Sequence, residues 1–572
     1  MRELTWTVVG EGDHTSTSGP RLGVLSVPGA RDGRDEPVRI ATPACLTYTR
    51  RGEPAHLTPD VLATLPPEAR AFQVSLAHFM DHLPPSHVSN CPGGGRAYFG
   101  SAPTFALATA RDAITFDAHA KPSNDASATF VGTPVGVKKV SVEEYMRWVH
   151  ATQPHAFVSL ADERHSVEGA PAKKTRAAAE RTEAWMDACA AIRDAAIEND
   201  LAVDAEEARV APIAMFASVQ GGCDVEARAA SAKAAASRCG AGKANAVFGF
   251  SIGGLGTGEA PGAARGALVE ACVAQFPKNK PVHVAGVSAP LEAIAMIERG
   301  VDLLDNAFCH GMTLAGRALR FAVDEKEARG ETRKRTRENG DDDDAFLFSG
   351  ADAFSLNLWS LKYRVDTRPL LENCECHTCR NHTRAYVHHL LQCREMTASV
   401  LLDAHNQFHF LRFFAAAREA VGNGTFAAFA AFHRSRTKDV EEEEEEEERE
   451  GGGNGFVGSV RTHTRERYES TYCFFRLVCF SFVRVRSRRP SRARRSEPSL
   501  LPHAGKHLLL DEFLEPRVGR GVERERERHL LCRRRVFRRR LEALLVHLPH
   551  LGHVFVALER VIQRPVHAQL AV

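Results

Sequence analysis

The chain places three cysteines within six residues, in the stretch "CECHTC". Cys374, Cys376 and Cys379 form a C-x-C-x-x-C knuckle, and thiolates at this spacing converge readily on one tetrahedral metal ion. A structural zinc site needs a fourth ligand, which is usually presented from further along the chain. The candidates inside or after the knuckle are His377, His382, His388, His389, Cys393 and His405. The pattern therefore predicts a metal centre and leaves the fourth ligand open.

A disulfide or a core of metal-free thiols could also account for the clustered cysteines. The N-terminus "MRELTWTVVGEG" lacks the basic region and apolar run of a secretory signal. The most apolar run, "CFFRLVCFSFV", contains an arginine and is shorter than the ~20 residues that span a bilayer. We therefore expect a cytoplasmic protein without an integral membrane segment, whose cysteines stay reduced. Three thiols packed without an ion gain little, so metal binding is favoured.

The elements that would position this centre are predicted from the first 323 residues. Short apolar runs alternate there with longer Ala-rich or charged helical patterns, such as residues 224–239, where Gly240 follows as a helix stop. Strands that are apolar throughout and separated by helices indicate buried parallel strands. The runs are "RIATPACLTY", "YFGSAPTFALATA", "AFVSLA" (156–161), "APIAMFASV" (211–219), "AVFGFSI" (246–252), "VHVAGV" (282–287) and "VDLLDNA" (301–307).

This alternation predicts the α/β class and an irregular TIM (β/α)8 barrel over residues 1–323. A doubly wound open sheet is the alternative, and it is disfavoured because no phosphate-binding glycine fingerprint follows the first strand. Residues 324–350 are too polar to bury, so we expect a disordered insertion. Residues 351–436 form a helical subdomain that holds the cysteines and completes the barrel. The acidic and Gly-rich residues 437–455 are expected to be a linker.

The C-terminal tail differs in charge from the rest of the chain. Residues 456–572 carry 25 Lys+Arg against 11 Asp+Glu, a net charge of +14, which leaves −12 for residues 1–455 because the whole chain carries +2. The acidic body gives no charge-based support for nucleic-acid binding. Arginine supplies 24 of the 25 basic residues of the tail. We expect a disordered tail or the translation of sequence beyond the end of the gene, with an RNA-binding tail as the alternative.

The segment "CECHTCRNHTRAYVHHLLQCREMTASVLLDAHN" resembles the zinc segment of the tRNA-guanine transglycosylases. In that family a histidine 26 residues after the third cysteine completes the site, which is His405 in this chain. The resemblance covers roughly residues 20–435 and implies a (β/α)8 barrel with a zinc-binding subdomain. It implies one structural Zn²⁺ bound by Cys374, Cys376, Cys379 and His405. A straight helix of 26 residues would be about 39 Å long, so the chain is expected to double back near Cys393–Thr397.

Three segments are similar to the accessory branch of the eukaryotic transglycosylases. They are "TPACLTYTRRGEPAHLTPDVL" (42–62), "GVDLLDNAFCHGMTLAGRALRF" (300–321) and "FSLNLWSLKYRVDTRPLLENC" (354–374). In that family an accessory subunit pairs with a catalytic subunit, and the heterodimer exchanges guanine for queuine at the anticodon wobble position of tRNA. The resemblance implies such a partner, contact with tRNA through the complex, and a cytoplasmic location that includes peripheral binding to the mitochondrial outer membrane.

Several features also resemble parts of the catalytic subunits. Asp305 falls where the family keeps its nucleophile, a carboxylate that forms a covalent ribosyl intermediate. The loops "VQGG" (219–222) and "IGGLGTGE" (252–259) resemble loops that bind the purine. Asp162 corresponds to a base-reading aspartate, although a structural role is favoured for it. For "IGGLGTGE", a strand-to-helix turn without a ligand is an equal alternative.

Two departures from the family pattern indicate an inactive site. The Asp-Ser-Gly-Gly-Phe-Gln motif, which supplies the second catalytic aspartate, is absent from the sequence. The Pro-Thr-Arg-Asn-Ala-Arg segment, whose arginines hold tRNA phosphates, is replaced by "CHGMTL" (309–314), so the anionic substrate loses its anchor. We therefore expect no catalytic residue and a vestigial nucleophile at Asp305. The alternative is a self-sufficient transglycosylase that uses Asp305.

The helix predicted to follow His405 is rich in phenylalanine. Phe408, Phe410, Leu411, Phe413 and Phe414 span about half of its circumference. Further phenylalanines follow at three-residue spacing: Phe426, Phe429 and Phe432. Because a subdomain of about 80 residues has too little interior for all these rings, the sequence predicts an exposed apolar patch that marks an interface. The family resemblance also implies that the zinc subdomain lies at the contact with the catalytic subunit. An ordinary core helix is the alternative for "HNQFHFLRFF".

Overall fold

The computed structural model describes most of the chain up to residue 436. The described residues are 4–9, 19–28, 37–81, 84–91, 94–100, 103–114, 124–163, 171–201, 213–239, 247–256, 259, 262–328 and 354–436. All of them belong to one compact unit, Met1–Ser487. The disordered insertion predicted over 324–350 begins with described residues, because 324–328 include a short helix. Its remaining residues 329–350, residues 351–353, the linker at 437–455 and the tail at 456–572 lie outside the described residues.

The described strands form one barrel and three small antiparallel sheets. They are β1 (Thr5–Val9), β2 (Leu22–Val27), β3 (Val38–Thr42), β4 (Ala44–Arg50), β5 (Glu53–Pro54), β6 (Ala71–Ser75), β7 (Phe105–Thr109), β8 (Ala128–Gly132), β9 (Val137–Ser141), β10 (Ala156–Val158), β11 (Ala214–Val219), β12 (Gly249–Ile252), β13 (Val282–Val284), β14 (Leu303–Asp305), β15 (Arg317–Leu319) and β16 (Ser355–Asn357).

The described helices surround the barrel and build the cysteine-bearing subdomain. They are α1 (Pro59–Leu62), α2 (Pro85–Ser89), α3 (Gly94–Phe99), α4 (Val142–Thr152), α5 (Ala172–Leu201), α6 (Val225–Ala236), α7 (Ala263–Val273), α8 (Pro290–Ile297), α9 (Ala307–Leu314), α10 (Glu325–Ala328), α11 (His377–Asn381), α12 (Arg384–Cys393) and α13 (Met396–Gly422). A last helical segment covers residues 426–436.

Eight parallel strands close into the barrel predicted from the sequence. Their order is β4, β6, β7, β10, β11, β12, β13 and β14, and β14 pairs with β4 to complete the circle. Every residue of β6 and β7 is buried, as expected for parallel strands covered on both faces. The barrel is irregular because the four-residue α1 and a 3-10 turn at Pro67–Arg70 stand in the first strand-to-strand connection. The (β/α)8 prediction is therefore confirmed.

The N-terminal antiparallel sheet of β1, β2 and β3 covers the amino-terminal end of the barrel. Trp6 and Leu25 share one apolar core with Ala71, Phe105 and Leu303. The last three are the first residues of β6, β7 and β14. The carboxyl ends of the strands, where this fold places its functional side chains, therefore lie opposite this cover.

Helix α13 belongs to two apolar cores at once. Leu401 and Leu402 pack in the core of the cysteine-bearing subdomain. Phe410, Phe413 and Phe414 belong to the core that surrounds the barrel, and none of the three side chains is exposed. A helix of this length is about 40 Å long, so its second half reaches beyond the subdomain and lies on the barrel.

The predicted phenylalanine patch is therefore wrong. Phe426 and Phe429 are also buried in the barrel core, and Phe408 and Phe432 are half-buried. The ring of Phe410 lies 6.1 Å from that of Phe308 on α9. The prediction counted only the interior of the subdomain and left out the barrel wall, which covers these rings.

In the part of the chain that the structure describes, no helix combines the length and the apolar character needed to cross a membrane.

Candidate functional site

The cysteine knuckle is built around the start of α11. Cys376 precedes the helix, and its Sγ accepts the Cys379 N–H at 3.3 Å. Thr378 Oγ1 donates to the Leu401 carbonyl on α13 at 2.7 Å. The knuckle is therefore fastened to α13 independently of any metal ligand.

His405 of α13 meets the three cysteines. Its Nδ1 lies 3.8 Å from the Sγ of Cys374, 3.5 Å from that of Cys376 and 3.3 Å from that of Cys379. All four ligand atoms lie within 4.8 Å of one another. With Zn–S of about 2.3 Å and Zn–N of about 2.0 Å, a tetrahedral site requires N···S separations of about 3.5 Å. The four side chains could therefore hold one metal ion.

The second nitrogen of His405 supports the same arrangement. Its Nε2 lies 2.7 Å from the carbonyl oxygen of Leu319, so it must carry the proton and donate it. Nδ1 is then left as the electron-pair donor that faces the sulfurs, which is how the partner of a ligand histidine fixes its tautomer. Cys374, Cys376 and His405 are buried and Cys379 is half-buried. The donor set therefore fits a closed structural site.

The chain doubles back between the knuckle and His405 as the sequence predicts. Helix α12 ends at Cys393 and α13 begins at Met396, and Arg394 between them has a left-handed φ of 58°. The other candidate ligands are engaged elsewhere. His388 Nδ1 lies 2.8 Å from the Leu358 carbonyl, and His389 lies beside Cys393 on the exposed side of α12.

Asp305 ends β14 at the carboxyl end of the barrel and is fully buried. Its Oδ2 accepts the Gly286 N–H at 2.5 Å. Its Oδ1 accepts the Ala307 N–H at 2.8 Å and the Ser288 hydroxyl at 3.2 Å. Burial raises the pKa of Asp305, and these hydrogen bonds oppose the shift. The carboxylate thus ties the start of α9 to the loop that follows β13.

Four side chains near Asp305 were not predicted from the sequence. His78 Nε2 lies 3.1 Å from a carboxylate oxygen of Asp112. The rings of His56 and His310 stack with centroids 5.1 Å apart. Burial and the nearby His56 lower the pKa of His310 to about 4. The position of His78 just after β6 would have signalled this group, had that strand been predicted.

Asp162 is held by protein groups on both carboxylate oxygens. Arg181 donates to Oδ2 from Nε at 2.7 Å and from Nη2 at 2.5 Å, and Asn124 Nδ2 donates to Oδ1 at 2.5 Å. Asp162 is fully buried. These contacts favour a structural role for this aspartate, which the sequence also favours.

A buried arginine joins the two loops that resemble purine-binding loops. Arg228, on α6, donates from Nε to the Gly222 carbonyl at 2.9 Å and from Nη1 to the Gly253 carbonyl at 2.8 Å. Gly253 also contacts the Gln220 side chain so closely that a Cβ there would lie 2.3 Å from its Nε2. No sequence signal marks Arg228, because it stands within an ordinary Ala-rich helical pattern.

The segment "CHGMTL" (309–314), which differs from the arginine-bearing segment expected from the resemblance, lies in α9. Cys309, His310 and Thr313 are buried, and Cys309 Sγ lies 3.6 Å from the Asn406 carbonyl on α13. In the described part of this segment, Leu314 is the large apolar side chain left exposed. Helix α9 thus offers packing to α13 and no cation for a phosphate.

Comparison with known proteins gives one consistent result. The model of the family described as queuine tRNA-ribosyltransferase matches residues 16–438. The queuine tRNA-ribosyltransferase accessory subunit 2 of Xenopus laevis is 30% identical over 442 residues, which cover 73% of this chain and 98% of that protein. The proteins of the same name from Danio rerio and Homo sapiens are 31% and 29% identical, over 70% and 66% of this chain and 93% and 89% of theirs. The chain belongs to the queuine tRNA-ribosyltransferase family.

Proposed function

We propose that this chain is a non-catalytic accessory subunit of queuine tRNA-ribosyltransferase. It pairs with a catalytic subunit, and the heterodimer exchanges guanine for queuine at the wobble position of tRNA. We place the complex in the cytoplasm, with any association with the mitochondrial outer membrane being peripheral. The observation that carries the non-catalytic assignment is the environment of Asp305, whose two oxygens accept three hydrogen bonds within the barrel.

A nucleophilic carboxylate must be ionised and must reach C1′ of the ribose. Asp305 is fully buried, which hinders contact with the ribose. Burial also raises the pKa of Asp305, which disfavours its ionised form. The reaction also needs a second group to transfer protons. The nearby Asp112 is paired with His78 at 3.1 Å, and the family's second-aspartate motif is absent from the sequence. These features favour a subunit that supports exchange without performing it.

The metal of this subunit is proposed to be one Zn²⁺ bound by Cys374, Cys376, Cys379 and His405. The donor atoms, all within 4.8 Å of one another, support this assignment. Three thiolates and one imidazole suit Zn²⁺ better than they suit oxygen-seeking cations. When bound, such an ion stabilises the fold of its subdomain. The residues themselves bring α11, α13 and the end of β15 together.

The partner contact is proposed to use exposed side chains of the same subdomain. The family resemblance implies that this subdomain lies at the dimer contact, and the buried phenylalanines of α13 cannot reach a partner. On α12, Tyr386 and His389 are exposed at a spacing of three residues, and His382 stacks on Tyr386 with centroids 5.3 Å apart. We call the exposed pair Tyr386 and His389 the α12 surface, and the half-buried His382 packs beside it just before α12 begins. Exposed aromatic side chains of this kind often dominate binding energy at interfaces.

Incorporation of labelled guanine or queuine into tRNA tests the proposal. The purified protein alone should show no exchange, and addition of the catalytic subunit should produce exchange together with a stable complex. Exchange by the protein alone that disappears in Asp305→Asn would instead establish the self-sufficient enzyme. Absence of a complex would contradict the accessory assignment.

A further inference from the structure

One edge of β15 is covered by side chains instead of another strand. The residues that flank β15 are hydrogen-bonded to the segment that contains β16. The Gly316 carbonyl accepts the Leu358 N–H at 3.1 Å, and the Arg320 N–H donates to the Phe354 carbonyl at 3.0 Å. In an antiparallel pair, every second residue directs its N–H and C=O toward the partner strand, and the residues between direct theirs away from it. The peptide groups of Arg317 and Leu319 thus point away from β16 and need other partners.

Asn406 of α13 supplies those partners. Its Oδ1 accepts the Leu319 N–H at 2.8 Å, and its Nδ2 donates to the Arg317 carbonyl at 3.0 Å. The amide therefore takes the place that a peptide group of a third strand would fill. Nδ2 also donates to Thr313 Oγ1 on α9 at 3.0 Å. Asn406 is fully buried, so these bonds have no competition from solvent.

The same short stretch of backbone orients the metal ligand. Leu319 is held at its N–H by Asn406 and accepts the His405 Nε2 proton at its carbonyl, at 2.7 Å. His405 and Asn406, which are adjacent on α13, thus hydrogen-bond to the carbonyl and to the N–H of Leu319 on β15. An acceptor that moves no longer fixes the tautomer or the ring plane of the histidine that it serves.

We infer that Asn406 is a positioning residue for the metal centre, acting through the Leu319 carbonyl on His405. This inference rests on the proposed metal site. It assigns a role to a side chain whose described hydrogen bonds go to none of the four ligand atoms. It also predicts that metal affinity depends on Asn406, whose described side-chain partners lie on β15 and α9.

Gln407 provides a matched control because it carries the same amide on the next residue of the same helix. It is also buried, and its Nε2 donates to Asp403 at 3.1 Å. Its described hydrogen bond stays within α13, whereas those of Asn406 reach β15 and α9. Loss of a buried amide is thus common to both variants, and loss of the grip on Leu319 is specific to Asn406.

The experiment compares wild type, Asn406→Ala and Gln407→Ala as full-length proteins loaded with Zn²⁺ or Co²⁺. Metal affinity is measured by competition with a chromophoric chelator, and ligand geometry by the visible absorption of bound Co²⁺. We expect Asn406→Ala to bind Zn²⁺ about 10- to 100-fold more weakly than wild type. Its Co²⁺ spectrum should change as well. Gln407→Ala should stay within about threefold of wild type, with an unchanged spectrum.

The outcomes separate this inference from the site on which it rests. Wild-type protein that retains no metal would contradict the metal site itself. Metal-bound wild type with equal affinities for the two alanine variants, or an unchanged Co²⁺ spectrum for Asn406→Ala, would overturn the role of Asn406. If Asn406→Ala does not fold, the near-isosteric pair Asn406→Leu and Gln407→Met replaces it. Asn406→Leu fills the same volume but removes the acceptor for the Leu319 N–H, so it should bind Zn²⁺ several-fold more weakly than Gln407→Met, and equal binding would refute the inference.

Discussion

The carboxylate of Asp305 joins two loops that follow neighbouring strands of the barrel. It accepts backbone N–H groups from Gly286 after β13 and from Ala307 at the start of α9. An acceptor at that helix start satisfies one of the N–H groups that a helix leaves unpaired. Under the proposed accessory function, this structural role accounts for an aspartate at a position that resembles that of the family's nucleophile.

Replacing Asp305 by Asn should separate these two roles. The amide can accept only on one side, so one buried N–H loses its acceptor, at a cost of about 1–3 kcal/mol of folding free energy. Base exchange by the heterodimer should stay within about threefold of wild type, as measured with labelled guanine. A loss of several orders of magnitude, without loss of the complex, would show that Asp305 is a nucleophile.

His310 should make the stability of the protein depend on pH. Burial and the neighbouring His56 lower its pKa to about 4 in the folded chain, whereas the unfolded value is about 6.5. As the pH falls from 7 to 5, the unfolded state takes up the proton first, so stability decreases by on the order of 1–2 kcal/mol. His310→Gln should make the decrease in denaturant-derived stability over this interval smaller. The exposed His87→Gln should not, and equal slopes for all three proteins would exclude this role. The buried His283 and His433, whose pKa values are lowered to about 3 and about 4, should account for part of the decrease that remains.

At the scale of elements, α13 decides what the subdomain can and cannot do. Its first half carries His405 and packs on Leu401 and Leu402, and its second half packs Phe410 against the barrel. The rings of its phenylalanines are therefore part of the fold. The exposed aromatic side chains of the subdomain instead include Tyr386 on α12.

Substitutions on the two helices should have opposite consequences. Phe410→Glu places a carboxylate in a fully buried site and should cost more than about 4 kcal/mol, leaving little folded protein. Tyr386→Glu changes a side chain that is 42% exposed and should leave the melting temperature within about 2 °C. It should weaken binding to the catalytic subunit at least tenfold, as measured by calorimetry. A Phe410→Glu protein that folds but fails to pair with the catalytic subunit would instead support the phenylalanines as the contact surface.

The sequence identified elements well where a single pattern determines them. The apolar runs around residues 211–219 and 246–252 became β11 and β12, and Asp224 caps α6 with its carboxylate. Strand β6 was missed because "AFQVS" is short and contains Gln73, which bonds inside the barrel to His283 at 3.0 Å. Such tertiary hydrogen bonds leave no periodic trace.

The same limit applies to the site. The proposed ligand set came from a spacing that resembles that of a family. The fold-back that brings His405 to the cysteines was predicted from helix length alone. The contacts that surround the candidate sites could not be predicted from the sequence. Asn406, Arg228 and the stacked pair of His56 and His310 depend on which elements meet in space, and residue type alone does not distinguish a buried Asn or Arg from an exposed one.

At the scale of the whole molecule, the described residues form a complete barrel with covers. The N-terminal sheet covers one end through Trp6 and Leu25. Arg21 forms an ion pair with Asp302 at 2.5 Å and lies 4.9 Å from the centre of the Trp6 ring. The outer wall is completed by α13 and the segment 426–436.

Removal of residues 437–572 should therefore leave the folded part intact. We expect the shortened protein to keep its metal content, its pairing with the catalytic subunit and a melting temperature within about 2 °C of the full chain. The affinity of the heterodimer for tRNA and its dependence on salt should also be unchanged. A shallower salt dependence after truncation would show that the tail binds RNA phosphates.

Helix α13 packs in both the subdomain core and the barrel core. This arrangement limits how the chain can evolve by recombination. A segment that packs against only one neighbour can be exchanged between relatives by recombination with little disturbance. Here the stretch that carries His405 continues directly into Phe410 and Phe413 on the barrel wall. A crossover inside α13 would pair one parent's subdomain with another parent's wall. We expect the cysteine-bearing subdomain to be inherited together with the barrel, and chimaeras to fold only when their junctions fall outside α13.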